Sequence, residues 1–229
     1  MGETLIMIKA VFIDFYGTVV YEDGEVIQKV SQEIFVSGKA NDKSEIGSYW
    51  WNEFQTVFNN AYGDNFETQR ILEYKSLEKT IKYFKSSADA VKLSNLMFRH
   101  WIKPPIFEES KQFFELCPVP IYVLSNIDRA DVLQAIKYHG LKPAGVFTSE
   151  DAKSYKPRKE LFEFALNNVG LSAGEVLHIG DSLISDIKGA SSVGINAIWV
   201  NRNNREIPSG VTAVKNLIEI FDTKYFLHE

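Results

Sequence analysis

Three aspartates, a lysine and a few hydroxyl and amide groups stand where the apolar pattern of this sequence stops. Asp14 ends the run Val11-Phe12-Ile13, and Thr18 follows four residues on. Ser125 and Asn126 end the run that begins at Pro120. Asp181 and Ser182 close a third run, with Asp186 just beyond. Lys156 lies in a cation-rich stretch between Lys153 and Arg158. Carboxylates held within a few ångströms of one another repel unless a cation sits among them. Donors that are all oxygen suit a hard cation such as Mg²⁺. A carboxylate ending a buried strand is therefore placed to act as a nucleophile or as a metal ligand. Taken alone, Asp14 also fits a strand-end residue that caps a turn.

These groups meet only if their strands lie side by side. Short, continuously apolar, β-rich runs suit strands buried on both faces of a parallel sheet. Strands are expected at residues 11–13, 120–124, 145–148, 175–179 and 195–200, and helices at 107–116, 128–139, 159–169, after Ser182 as far as Val193, and at 213–221. Alternation of this kind predicts a three-layer α/β/α parallel sheet. An open parallel sheet binds ligands outside the carboxyl ends of its strands, which is where the polar groups fall.

One block breaks the alternation. Residues 26–103 carry four helical periodicities, ended by Lys103-Pro104-Pro105 because proline cannot continue a helix. The chain therefore divides into an α/β core domain (residues 1–25 and 104–229) and an inserted helical cap domain (26–103). Between them, Val19-Val20-Tyr21 before Asp23-Gly24 predicts a small hairpin or flap beside Asp14. The block is rich in aromatic residues, among them Trp50, Trp51, Phe54, Phe58 and Trp101. Most sit at core spacing, so about three in four are expected in the block's own core. Arg70, Arg99 and His100 are expected at the solvated surface.

A formal charge of −5 argues against a nucleic-acid partner, which needs a basic face. The lone Cys117 excludes an intramolecular disulfide framework, fits a reducing compartment and reads as a packed thiol. No apolar stretch has membrane-spanning length, and the apolar residues from Leu5 lead into the first strand rather than forming a leader. A soluble, cytoplasmic protein acting on a small molecule is expected, with neither nucleic acid nor membrane as partner.

Asp14-Phe15-Tyr16-Gly17-Thr18, Leu124-Ser125-Asn126, Lys156-Pro157 and Gly180-Asp181-Ser182 continuing to Asp186 resemble, in order, the four motifs of the haloacid dehalogenase (HAD) superfamily of hydrolases. The insert stands at the position of that family's helical C1 cap. The resemblance implies a Rossmann-like core and a hydrolase working through an aspartyl intermediate. By the same resemblance, Asp14 is the nucleophile, Thr18 orients the site, and Ser125 and Asn126 bind an anionic substrate. Lys156 neutralises charge. Mg²⁺ is held by Asp14, the backbone carbonyl of Tyr16, Asp181 and Asp186.

One position departs from the phosphatases of that family, which carry a second Asp where this chain has Tyr16. A phenol, with a pKa of about 10, is a poor base near neutrality. Tyrosine here resembles the 2-haloacid dehalogenases, whose halide leaves without a proton. Other positions resist that reading. Leu183 stands where the dehalogenases carry Asn, and Phe162 where they carry Tyr. A Mg²⁺-dependent phosphatase on a small phosphorylated metabolite is expected, ahead of a metal-independent dehalogenase. The missing Asp also motivates a third reading, a non-catalytic metabolite-binding or regulatory protein.

Overall fold

A computed structural model describes residues 7–226 of the 229. Its centre is a six-stranded sheet, parallel throughout, in the order β3-β2-β1-β4-β5-β6. The strands are β1 (Ala10–Ile13), β2 (Ile121–Ser125), β3 (Gly145–Thr148), β4 (Val176–Gly180), β5 (Asn196–Val200) and β6 (Thr212–Val214). Every residue of β1 and β4 is buried, as strands covered on both faces require. The expectation that the apolar N-terminal residues lead into β1 rests partly on Leu5 and Ile6, which lie outside the described residues.

Four helices separate β1 from the rest of the sheet in sequence: α1 (Gly24–Ser37), α2 (Lys43–Asn60), α3 (Gln69–Tyr83) and α4 (Ala90–Ile102). The helices α5 (Ser110–Leu116), α6 (Arg129–His139), α7 (Ser149–Ala152), α8 (Lys159–Val169) and α9 (Gly189–Ser192) belong to the βα alternation. One apolar cluster runs without a break from Val11 and Ile13, through Val30 and Ile34 of α1, to Leu93 and Met97 of α4. Phe12 and Leu124 face a second cluster with Phe162 and Ala165 of α8, so the sheet is covered on both sides.

Several expectations need correction. No hairpin turns at Asp23-Gly24: Gly24 opens α1, and Asp23, its N-cap, accepts the indole N–H of Trp101 (2.9 Å). The chain leaving β1 instead forms a bridge between Val20 and Ile106, and the N–H of Tyr21 donates to the Pro105 carbonyl at 2.9 Å. Entry to and exit from the helical insert thus run side by side. The helix expected over 213–221 is the edge strand β6 followed by a 3₁₀ turn, Ile218–Asp222. The apolar run there was split by register: Ala213 and Val214 pair with Trp199 and Val200. The helix expected from 107 begins only at Ser110. The one expected after Ser182 opens with a π-helical segment, Leu183–Lys188, before α9.

Candidate active site

The sheet order reverses direction between β1 and β4, which is where an open α/β sheet leaves a crevice. Asp14 follows β1 and Asp181 follows β4, so the two carboxylates face each other across it. The N–H of Asp14 donates to the Ile179 carbonyl at 2.8 Å, carrying the strand ladder one step past β1. Gly17 lies at φ +92, and a Cβ there would meet the Asp181 carboxylate at 2.7 Å, so only glycine lets the loop after Asp14 turn this close. Gly180 is required in the same way, because a side chain there would overlap Asp186.

Lys156 is 1% exposed and reaches three acceptors: Asp14 (2.7 Å), Asp186 (2.6 Å) and the carbonyl of Leu124 (3.1 Å). Burial opposes its charge, but the two carboxylates outweigh burial and hold the ammonium above its ordinary pKa. Asn126 fixes the backbone of that lysine from both sides. Its carbonyl accepts from the Lys156 N–H (2.8 Å), and its NH₂ donates to the Lys156 carbonyl (3.1 Å). Ser125 is buried at the end of β2, its Oγ accepting the Ile127 N–H at 3.1 Å. Thr18 donates to Asp14 (3.0 Å) and lies 3.3 Å from Asp181. Its carbonyl is held by Arg202 (2.7 Å).

Carboxylate oxygens of Asp14, Asp181 and Asp186 lie within 4.8 Å of one another. Burial pushes the Asp14 carboxyl up to about 6, against the pull of Lys156. Burial, then the charges of Asp14 and Asp186, push Asp181 up to about 8. Burial also works against ionisation of Asp186, but Lys156 and His178 prevail and hold it below the ordinary carboxylate range. A trio that resists ionising together is short of positive charge, and its all-oxygen donor set fits a hard divalent cation. The backbone of Asp181 is fixed by the Trp199 indole N–H, which donates to its carbonyl at 2.7 Å.

Tyr16 turns away from proton transfer. Its hydroxyl donates to the Trp101 carbonyl at 2.6 Å, and burial raises its pKa far above that of a free phenol. Beside the trio the structure adds groups that sequence reasoning missed. His178 on β4 is fully buried with Nε2 3.0 Å from Asp186, and burial lowers its pKa. A polar residue inside the apolar strand Val-Leu-His-Ile-Gly was the available signal. Glu22, Gln69 and Glu73 also line the cavity over the site, whose volume is about 650 Å³. The aromatics of the insert are less inward than expected. Trp51, Tyr62 and Tyr83 are exposed, while Trp50, Trp51, Phe54, Phe58 and Trp101 line that cavity. Arg70 is not simply solvated either, because it pairs through two hydrogen bonds with the buried Asp131 of α6 (2.7 and 2.5 Å).

The model of the haloacid dehalogenase-like hydrolases matches residues 8–194. The chain belongs to this family of hydrolases. It is similar to the HAD-hydrolase YfnB of Bacillus subtilis, 34% identical over 84 residues, which are 35% of this chain and 36% of YfnB. The pyrimidine 5'-nucleotidase YjjG of Escherichia coli is 31% identical over 80 residues, 34% of this chain and 36% of YjjG. These alignments span about a third of those relatives' length. The magnesium-bound structure of YfnB superposes with a TM-score of 0.74 at 20% identity, covering 94% of this chain and 98% of that one. The L-2-haloacid dehalogenase RSc1362 gives 0.76 at 17%, with 94% and 98% covered. At such identities the structural likeness is one of fold, and phosphatase and dehalogenase share it.

Proposed function

We propose that this HAD hydrolase is a Mg²⁺-dependent phosphatase acting on a small phosphorylated metabolite through an aspartyl phosphate on Asp14. The observation that carries the reading is the carboxylate trio. Asp181 beside Asp14 and Asp186 is costly in a buried site without a cation, and dehalogenation has no use for that cost. That YjjG is named a nucleotidase and that YfnB was crystallised with magnesium are consistent with it.

In this reading Asp14 attacks phosphorus through a carboxylate oxygen, and the bond from phosphorus to the leaving oxygen breaks. Water then displaces Asp14 and releases phosphate. Lys156 holds Asp14 ionised and in place by an ion pair (2.7 Å), and Thr18 orients the second oxygen by its hydrogen bond (3.0 Å). Asn126 fixes Lys156, and Ser125 with the adjoining backbone faces the phosphoryl group. Asp14, the carbonyl of Tyr16, Asp181 and Asp186 would hold Mg²⁺, which offsets the negative charge that nucleophile and phosphoryl group bring together. Such positioning and charge compensation supply most of the catalysis in phosphoryl transfer. The proton of Tyr16 is committed to the Trp101 carbonyl, so the leaving oxygen receives no proton from that position, and leaving groups of low basicity are favoured.

The test is release of nitrophenolate from p-nitrophenyl phosphate with Mg²⁺ or with chelator. Turnover is expected only with Mg²⁺, and Asp14→Asn is expected to lose at least about 10³-fold in kcat while retaining its circular dichroism. Turnover that survives chelation or this substitution overturns the reading. Tyr16 itself favours the second reading, dehalogenation, which predicts halide release from a 2-haloacid without metal.

A further inference from the structure

The cavity above the carboxylate trio is lined unevenly in charge. Among the described residues that line it, Lys156 is the only cation, and its ammonium is already bonded to Asp14, Asp186 and the Leu124 carbonyl. Cations nearby are engaged elsewhere. Arg70 is paired with Asp131, Arg158 donates to the Asn59 carbonyl (3.0 Å) and stacks on Tyr62, and Arg205 donates to the Asp181 carbonyl (3.1 Å). The acidic groups Glu22, Asp23 and Glu73 lie in the walls. A second anionic group on a substrate would meet nothing there to neutralise it.

The wall supplied by α2 is aromatic. Trp50, Phe54 and Phe58 recur every four residues, and Trp51 stacks on Phe54 with ring centres 6.0 Å apart. The N-terminal half of α3 adds a polar edge. Gln69 and Glu73, one turn apart, both line the cavity. Gln69 Oε1 is buried without a hydrogen-bond partner, an acceptor left free beside the space a ligand fills. Burial, and then the Asp23 charge, push the Glu73 carboxyl well above its ordinary pKa, so this edge disfavours further negative charge.

We propose, building on the phosphatase reading, that the substrate is the phosphomonoester of an uncharged, flat aromatic or heteroaromatic alcohol whose body stacks along α2 and donates a hydrogen bond to Gln69 Oε1. Gln69 is then a specificity-determining residue, and phosphoesters carrying a carboxylate or a second phosphate at the far end are rejected.

Three near-isosteric probes test this: phenyl phosphate, 4-carbamoylphenyl phosphate and 4-carboxyphenyl phosphate, followed by phosphate release with Mg²⁺. The corresponding benzylphosphonates are titrated in parallel against the intrinsic fluorescence, because three of the four tryptophans line the cavity. The carbamoyl ester is expected to exceed the carboxy ester at least 30-fold in kcat/KM, with the same order in phosphonate affinity. Gln69→Leu is expected to erase the advantage of the carbamoyl over the phenyl ester in both kcat/KM and phosphonate affinity. Glu73→Lys, which sets a cation in the wall, is expected to raise the carboxy ester at least tenfold relative to phenyl phosphate. Equal handling of the carbamoyl and carboxy compounds by the wild type, or failure of all the phosphonates to bind, overturns the proposal. Phosphonate selectivity without phosphate release from any ester would uphold the cavity's preference and overturn the phosphatase reading instead.

Discussion

Tyr16 is the residue on which the proposed chemistry turns, because it stands two positions after Asp14, the proposed nucleophile, and its hydroxyl proton points away, to the Trp101 carbonyl. The hydroxyl is fixed on the Trp101 carbonyl, so Tyr16→Phe is expected to leave kcat for an aryl phosphate within about threefold and the pH profile unmoved, costing only the hydrogen bond, about 1 kcal/mol of stability. A loss of a hundredfold, or a displaced alkaline limb, would show that the phenol takes part in the reaction. Asp14, Asp181 and Asp186 were legible in sequence because each ends or lies just beyond an apolar run, and Lys156 because it stands in a cation-rich stretch before a helix. His178, buried in the middle of such a run, and Gln69 and Glu73, inside a helix, have no such marker. A weaker signal did exist on α3, where Gln69, Glu73, Ser76 and Thr80 form a polar line at helical spacing beside the apolar stripe of Leu72 and Leu77. Ser76 and Thr80 are fully buried. A polar line running alongside a core-facing stripe points to a buried polar surface.

At the scale of elements, one polar contact that joins the insert to the sheet lies at the start of α3. The N–H groups of Gln69 and Arg70 both donate to the carboxylate of Asp128 (2.7 and 3.1 Å), an acid satisfying the open donors of a helix N-terminus. The guanidinium of Arg70 then grips Asp131, whose side chain is 1% exposed. Removing only the arginine strands a buried charge. Arg70→Ala is therefore expected to cost about 2 kcal/mol, and Arg70→Ala with Asp131→Ala to recover at least half of it in a denaturation cycle. A single-variant loss below about 0.5 kcal/mol would mark the pair as solvent-screened. Asp128 and Asp131 follow Ser125-Asn126 directly, so the loop that carries two site residues also carries the anchor. The helix expected over 213–221 failed for a physical reason. Near the C-terminus, short apolar runs are equally consistent with helix and strand, and sheet pairing at Trp199 and Val200 decided the matter for Ala213 and Val214.

For the whole molecule, the trio makes stability depend on pH and metal together. In the metal-free protein Asp14 and Asp181 have pKa values raised to about 6 and about 8 from 3.8. The native state then binds more protons than the unfolded chain between those limits, so stability falls as pH rises through that window. In chelator, the melting temperature is expected to be lower at pH 8 than at pH 6. Added Mg²⁺ is expected to raise it more at pH 8, where fewer protons have to be displaced first. A metal effect that does not grow with pH would remove the trio as the binding site. The sheet order carries a further consequence, for the order of assembly. Val11 pairs with Ile121 on one side and Leu177 on the other. On a ribosome, the strand before Asp14 is therefore made well ahead of its neighbour β4 and is not enclosed until β4 arrives. The second wall of its groove arrives only after β2, β3 and the helices α1 to α8 have been translated. Until then the charged crevice cannot form, and Asp14 has neither Asp181 nor Asp186 beside it.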